Sequence, residues 1–401
     1  MIARTGPSFT RMRTPLFVLA DDLTGACEIA GLAATRGGRA RVLTTSELPD
    51  LAGVDLLVLD TETRLLRPVD AARKTAGVAE ILLQIGAQPF FKKTDSMLRG
   101  PVAAELEALA AAFGYERVLL VAGNPALGRV VAHGCLSVNG TPVHQTEFAI
   151  DPHHPARSDR VANLLGPVVH APVHVVTPED RELPLGLLVG DARSKGELQA
   201  WARRLPTDTL AAGGAAWFEA LLPEPESASV APSSPPSSDS GHLLLSGTTS
   251  QAQRQQLSAC AGFEPFSVEE LKRDALAHWL QRLAHAWQTS GRAAAAPTGA
   301  VTRESGTAER IRAALAAAAL RAVRQWGVRH LIIEGGSTAF SILSALGWRD
   351  LSVVHSWAPG VVSVRPAAAP DCLLTLKPGS YPWPPALLNR LSSAPNRVSA
   401  S

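Results

Sequence analysis

Along most of the chain, short apolar runs alternate with longer stretches in which apolar residues recur every three or four positions. The runs at 16–20, 40–44, 56–59, 89–92, 118–122 and 187–189 predict buried strands, and the stretches at 26–35, 68–85 and 101–113 predict helices between them. Pro101 suits a first helical turn, where its missing N–H leaves no bond unmade. Strands that alternate with helices are joined by crossovers and lie parallel. Asn139-Gly140 favours a hairpin turn, so an antiparallel excursion is expected after Arg129.

The second half repeats the pattern. Strands are expected at 242–245, 328–333, 352–355 and 372–375, and helices at 250–261, 267–290 and 308–326. The expected fold is α/β: two three-layer α/β domains with mostly parallel sheets. The segment "LLPEPESASVAPSSPPSSDSG" interrupts this pattern with Pro and Ser and few large apolar residues, which marks a linker. The divisions are 14–221 for the first domain, 222–240 for the linker and 241–390 for the second domain. The stretch 289–306 reads as a long, partly disordered loop, and the tail after Asn389 as frayed.

Charge narrows the function classes. The 401 residues include 38 Lys and Arg against 36 Asp and Glu, a balance that argues against a nucleic-acid or membrane-surface partner. No apolar run approaches the roughly 18–20 residues that span a bilayer, and the N-terminal stretch lacks the apolar core of a secretory signal. Cytoplasm is therefore the expected location. The cysteines at 27, 135, 260 and 372 have no metal or disulfide spacing and read as reduced thiols.

Open α/β sheets bind ligands where strands turn into helices. The first such exit is Asp21-Asp22-Leu23-Thr24-Gly25. One aspartate suffices for a helix cap; two, with a hydroxyl and a glycine, also suit a general base or a magnesium ligand. The next exit, "VLDTETRLL", carries Arg64, which is able to fork onto a carboxylate substrate, although the stretch also reads as a solvated loop. "FFKKTDSMLRGP" packs Lys93, Thr94, Asp95, Ser96 and Arg99 into one loop, a mixture suited to a polyhydroxy acid, and Arg129 adds a cation after Asn124-Pro125. His133, His153 and His154 lack ligand spacing. In the second half, "LLLSGTTSQAQ", "LIIEGGSTAFSIL" and "LTLKPGSYPWP" each bring glycine to a strand exit, where backbone approaches phosphate closely.

Together these loops resemble the four-carbon acid-sugar kinase family, which includes D-threonate, D-erythronate and 3-oxo-tetronate kinases. The stretches that carry the resemblance are "ADDLTGA", "KKTDSMLRG", "NPALGR", "VNGTPVHQTEFAIDPHHP", "GDARSKGEL", "SGTTSQAQRQQL", "EGGSTAFSILSALG", "APGVV" and "LKPGSY". The resemblance implies an N-terminal acid-sugar domain, a C-terminal ATP domain, and phosphoryl transfer from ATP with Mg²⁺ to a C4 hydroxyl in the interdomain cleft. It implies catalysis by Asp21 or Asp22, substrate contacts from Asp21, Arg64, Lys93, Thr94, Asp95, Ser96, Arg99 and Arg129, and nucleotide contacts from Ser246, Gly247, Gly335, Gly336, Ser337, Thr338 and Gly379. A homodimer is usual for such enzymes.

Three departures from the family pattern fall in the ATP half. Ser337 stands where the family has glutamate, Pro382 puts a stiff proline where the family's Lys-Ser-Gly-x-Phe-Gly loop has a flexible glycine, and Thr248 ends a Ser-Gly-Ser turn. They keep open a non-catalytic acid-sugar-binding protein. A haloacid-dehalogenase-like phosphatase is the other alternative, but it needs an aspartate two residues after its nucleophile, where this chain has Leu23 or Thr24.

Overall fold

The structure is a computed structural model that describes residues 14–392 except 152, 167–170, 223–240, 249, 273–274 and 299–305. The described residues fall into two compact units, 14–222 and 241–392. Beyond Leu222, the linker expected at 222–240 lies outside the described residues, as do 299–305 and the tail from 393.

The first unit is built on β1 (Leu16–Ala20), β2 (Ala40–Leu43), β3 (Leu56–Asp60), β4 (Pro89–Lys93) and β5 (Arg117–Val121). A small antiparallel excursion follows: β6 (Arg129–Ala132), β7 (Cys135–Val138) and β8 (Thr141–Pro142). Asn139 and Gly140 turn between β7 and β8, both at positive φ, as the expected hairpin requires. The main sheet then gains β9 (Val173–Val176), β10 (Gly186–Gly190) and β11 (Thr209–Gly213). Its order is β2-β3-β1-β4-β11-β5-β10-β9, and every pairing is parallel.

Helices α1 (Leu23–Ala34), α2 (Pro68–Gln84), α3 (Val102–Phe113), α4 (Val161–Leu164), α5 (Lys195–Arg204) and α6 (Ala215–Leu221) complete this unit. α2 packs on α3, while α1 and α5 both pack on α6. Leu57, Leu59, Leu106, Leu120 and Leu210 are among the core residues, each almost wholly buried. Such a side chain contributes about 1.5–3 kcal/mol. From β1 the chain crosses through α1 to β2 on one side; from the adjacent β4 it crosses through α3 to β5 on the other. The exits of β1 and β4 therefore diverge, which opens a crevice at the carboxyl ends of the strands.

The second unit contains β12 (His242–Ser246), α7 (Gln251–Leu257), α8 (Ala275–Ser290), β13 (Arg292–Ala295), α9 (Thr307–Gln325), β14 (His330–Glu334) and α10 (Gly336–Leu346). It ends with β15 (Asp350–Ala358), β16 (Val361–Pro366), β17 (Leu373–Lys377) and α11 (Pro385–Ser392). The order is β13-β12-β14-β17-β16-β15, parallel through β17 and antiparallel across β16 and β15. Leu257 of α7 and Leu387 and Leu391 of α11 pack with Leu244 and Ile332 of the sheet, while α9 packs on α10.

Two readings of the sequence are corrected here. The stretch 289–306 was expected to be loop, yet it contains β13, whose "RAAA" sequence is buried and pairs with β12. The helix expected from 267 is a short 3₁₀ turn at Glu270–Lys272, with α8 starting at Ala275 among the described residues. The four cysteines are free thiols, three of them buried. No helix among the described residues is long and apolar enough to cross a membrane.

Candidate active site

At the β1 exit the two aspartates have different jobs. Asp22 is the N-cap of α1: its Oδ1 accepts from the Gly25 N–H at 2.9 Å and its Oδ2 from the Thr24 hydroxyl at 2.5 Å. Asp21, only 1% exposed, receives a fork from Arg64, with Nε to Oδ2 at 2.8 Å and Nη2 to Oδ1 at 2.9 Å. Arg64 Nη2 also reaches Asp22 Oδ1 at 2.7 Å. Burial alone raises a carboxyl pKa, but here the Arg64 guanidinium, helped by Lys92 and Lys93, outweighs it and holds Asp21 below the usual carboxylate range. Two like charges side by side are thus accounted for: one starts a helix and the other is neutralised.

Gly25 is required by this geometry, because a Cβ there would lie 2.7 Å from Asp22 Oδ1 and 3.2 Å from Lys93 Nζ. Alanine for glycine inside a helix ordinarily gains about 0.5–1 kcal/mol. Gly25→Ala is expected to lose about 1–3 kcal/mol instead, because the Asp22 carboxylate is pinned and must move. A thermal melt reads this directly; a gain in stability would show the cap to be free to shift.

Arg64, expected to hold a substrate carboxylate, forks here onto Asp21, which parallel pairing of β1 with β3 brings alongside. The loop that carries it is not solvated as expected. Asp60, Thr61 and Thr63 are buried, and Thr61 Oγ1 donates to the Ala20 carbonyl at 2.7 Å. The Arg64 carbonyl in turn accepts from His154 Nε2 at 2.8 Å.

The β4 exit is buried from Thr94 to Ser96. Lys93 Nζ donates to the Thr94 carbonyl at 3.0 Å and pairs with Glu28 at 3.4 Å. Arg99 forks onto Asp95 at 2.7 and 3.0 Å and reaches Asp151 at 3.4 Å. The Arg99 and Arg64 charges overcome burial and hold Asp95 far below the usual carboxylate range. Arg129 Nη1 donates to Ser96 Oγ at 2.7 Å, and the Arg99 and Arg129 guanidinium groups lie 5.8 and 6.0 Å from the Phe148 ring centre. Thr94 Oγ1 is buried without a hydrogen-bond partner. Buried hydroxyls are normally satisfied, so this one is available to a ligand.

In the second unit, Ser246, Glu334 and Lys377 are register partners at the ends of β12, β14 and β17. Ser246 Oγ donates to Glu334 Oε2 at 2.6 Å, and Lys377 Nζ donates to Glu334 Oε1 at 2.6 Å and to the Pro378 carbonyl at 3.0 Å. Glu334 and Lys377 are wholly buried, and neither was singled out from the sequence, since each ends an apolar strand run. Burial pulls the Lys377 ammonium below its ordinary range, against the pull of Glu334. The carboxylate absent at Ser337 is thus not the only one near this loop.

Gly335, at φ +103°, and Gly336 open α10, whose N-terminus has no side-chain cap. At Gly247 a Cβ would stand 2.3 Å from Thr338 Oγ1, so that approach needs glycine. The Gly379 carbonyl accepts from Gln253 Nε2 at 2.7 Å, tying the third glycine loop to α7. Glycine backbone and an uncapped helix start suit nucleotide phosphates, and the residues present fit that group. Among the described residues, no group of three or more His, Cys, Asp or Glu side chains is arranged to hold a metal ion.

Two α/β units, one gathering cations, carboxylates and hydroxyls and the other gathering glycine loops, define a protein with a sugar-type and a nucleotide-type domain. Family models agree: residues 16–217 match the sugar-binding N-terminal domain and 243–381 the nucleotide-binding C-terminal domain. The chain belongs to the four-carbon acid-sugar kinase family. It is 30% identical to a D-threonate kinase of Cupriavidus necator over 91% of this chain and 94% of that one. It is 32% identical to a D-threonate kinase of Salmonella typhimurium over 45% of this chain, a match that spans only 44% of that relative's length. The crystal structure of a Salmonella typhimurium protein shares the fold at a TM-score of 0.76 and 20% identity, covering 94% of this chain and 98% of that one.

Proposed function

We propose that the protein is an ATP-dependent kinase that phosphorylates the terminal C4 hydroxyl of a four-carbon sugar acid such as threonate, erythronate or a 2- or 3-oxo-tetronate. The observation that carries the reading is that one chain holds both the polar loops of the β1, β3 and β4 exits and the glycine loops of the β12, β14 and β17 exits. The names of the D-threonate kinase relatives support the substrate class.

In this reading Asp22 orients the attacking hydroxyl, and Asp21 serves to fix Arg64 beside it. Thr94 and Ser96 take substrate hydroxyls, and Lys93, Arg99 and Arg129 supply the positive field for the acid's carboxylate. The Gly247, Gly335–Gly336 and Gly379 loops, with Ser246, Ser337 and Thr338, hold the nucleotide. ATP supplies the phosphoryl group, and Mg²⁺ enters with its phosphates, a usual arrangement for this ion. Phosphoryl transfer depends mainly on positioning and charge neutralisation, which such loops provide.

The test is ADP release from Mg-ATP across a panel of threonate, erythronate and oxo-tetronates. ADP formed with at least one acid is the expected result. Thermal stabilisation by an acid with no ADP from any would instead establish a binding protein, the reading that Ser337 and Pro382 kept open. Acid-phosphate hydrolysis without ATP would establish a phosphatase.

A further inference from the structure

The loop leaving β3 carries two carboxylates for which the reading above has no role. Asp60 ends β3 opposite Ala20 of β1. Its Oδ1 accepts from the Glu62 N–H at 2.9 Å, while its Oδ2 has no hydrogen-bond partner although the residue is only 8% exposed. Glu62 Oε2 is also buried without a partner, and Glu62 sits at φ +41°, a left-handed conformation uncommon outside glycine. The turn around it is fixed: the Thr61 N–H and hydroxyl both donate to the Ala20 carbonyl, and the Thr61 and Thr63 hydroxyls are 2.8 Å apart. A buried carboxylate oxygen with nothing to accept from is costly. Two of them stand on one turn, in the field of the Asp22 charge.

We propose that Asp60 and Glu62 share a proton and that Glu62 is the base of the kinase reaction. This rests on the kinase reading above. The Glu62 Oε2 takes the proton of the sugar acid's hydroxyl, whose oxygen bonds to the γ-phosphorus of ATP. The bond from that phosphorus to the bridging oxygen breaks, and ADP leaves with the electron pair. Asp60 is a positioning residue: it accepts from the Glu62 N–H and holds the shared proton between turnovers.

The surrounding charges suit this role. Burial, then the Asp22 and Asp21 charges, raise Glu62 to about 7 against Arg64 of its own loop and Lys74 of α2. Burial, Glu62 and Asp22 raise Asp60 against Lys74, and the buried Cys27 thiol of α1 lies in the same field. A base works best when its pKa is near the working pH, whereas Asp21, held low by Arg64, is a poor proton acceptor. A carboxyl whose pKa is raised on folding contributes stability that is complete below the unfolded value of 4.5 and lost as pH rises through about 7.

The experiment compares the intact protein with Glu62→Gln, Glu62→Asp and Asp60→Asn, measuring kcat and KM from pH 5 to 9 and melting temperature over the same range. Glu62→Gln is expected to lower kcat by about 100-fold or more with little change in either KM, to remove the acid limb near pH 7, and to remove the loss of melting temperature between pH 5 and 8. Glu62→Asp is expected to restore part of kcat and the limb, and Asp60→Asn to move the limb to lower pH. Glu62→Gln turning over within about threefold of the unmodified protein, with the limb in place, overturns the proposal while leaving the kinase reading intact. Unmodified protein that forms no ADP with any acid overturns both. An unchanged pH dependence of melting in Glu62→Gln shows that no proton is shared at this turn and overturns the pairing whatever the activity.

Discussion

Turnover of a four-carbon sugar acid with Mg-ATP falls by about 10²–10⁴-fold in Asp22→Asn, while the affinity for ATP stays unchanged. Asparagine caps helices as well as aspartate does, so the Gly25 N–H keeps an acceptor and α1 its start. Arg64 retains its fork onto Asp21. On the proposed kinase reading, what is lost is the charge that orients the hydroxyl, so the effect belongs in kcat and not in folding. Steady-state ADP release and a nucleotide titration separate the two. Unchanged turnover would move the orienting role away from Asp22.

The second large effect is on stability. Lys377→Met is expected to cost about 3–5 kcal/mol, because Glu334 would be left charged with its side chain wholly buried. Glu334→Gln should cost a similar amount by stranding the ammonium. The double variant should recover most of the loss, since a buried pair removed as a unit is often neutral or favourable. Trp383, whose ring centre lies 5.0 Å from Lys377 Nζ, is a local fluorescence reporter for denaturant unfolding. A single variant within 1 kcal/mol of the unmodified protein would show that water reaches the pair.

The strands that frame the first crevice were readable from pattern alone, with β1 predicted at its observed limits and β3 and β4 each one residue short. Those runs are rich in Val, Leu and Phe and end abruptly in charge. The elements that were missed lacked such contrast. β11 and β13 are alanine-rich, and alanine favours helix, so only their sheet neighbours make them strands. β9 ends the first unit's strand order, and its burial is incomplete, which leaves a weak apolar signal. α5 was hidden by its charge, although Ser194 caps it and Glu197 and Arg193 pair beside the cap.

At the candidate site, residue types were readable and partnerships were not. Sequence placed Asp21, Asp22 and Arg64 near a ligand but gave no means of seeing that the arginine would turn to the aspartates. That depends on β3 lying next to β1, a contact between residues 43 positions apart. Asp60 and Glu62 read as ordinary loop charges for the same reason, because their burial comes from packing around the turn.

Arg64 fastens its own loop to three other pieces of chain at once. Its guanidinium holds the β1 exit, its N–H bonds the Asp21 carbonyl, its carbonyl receives His154, and its backbone fills the space a Cβ would need at Gly100. A part gripped from so many sides has little freedom to evolve. On the proposed kinase reading, new acid preferences in descendants of this chain should therefore enter elsewhere, through the Ser96, Arg129 and Phe148 arm, while Arg64 and its aspartates change together or not at all.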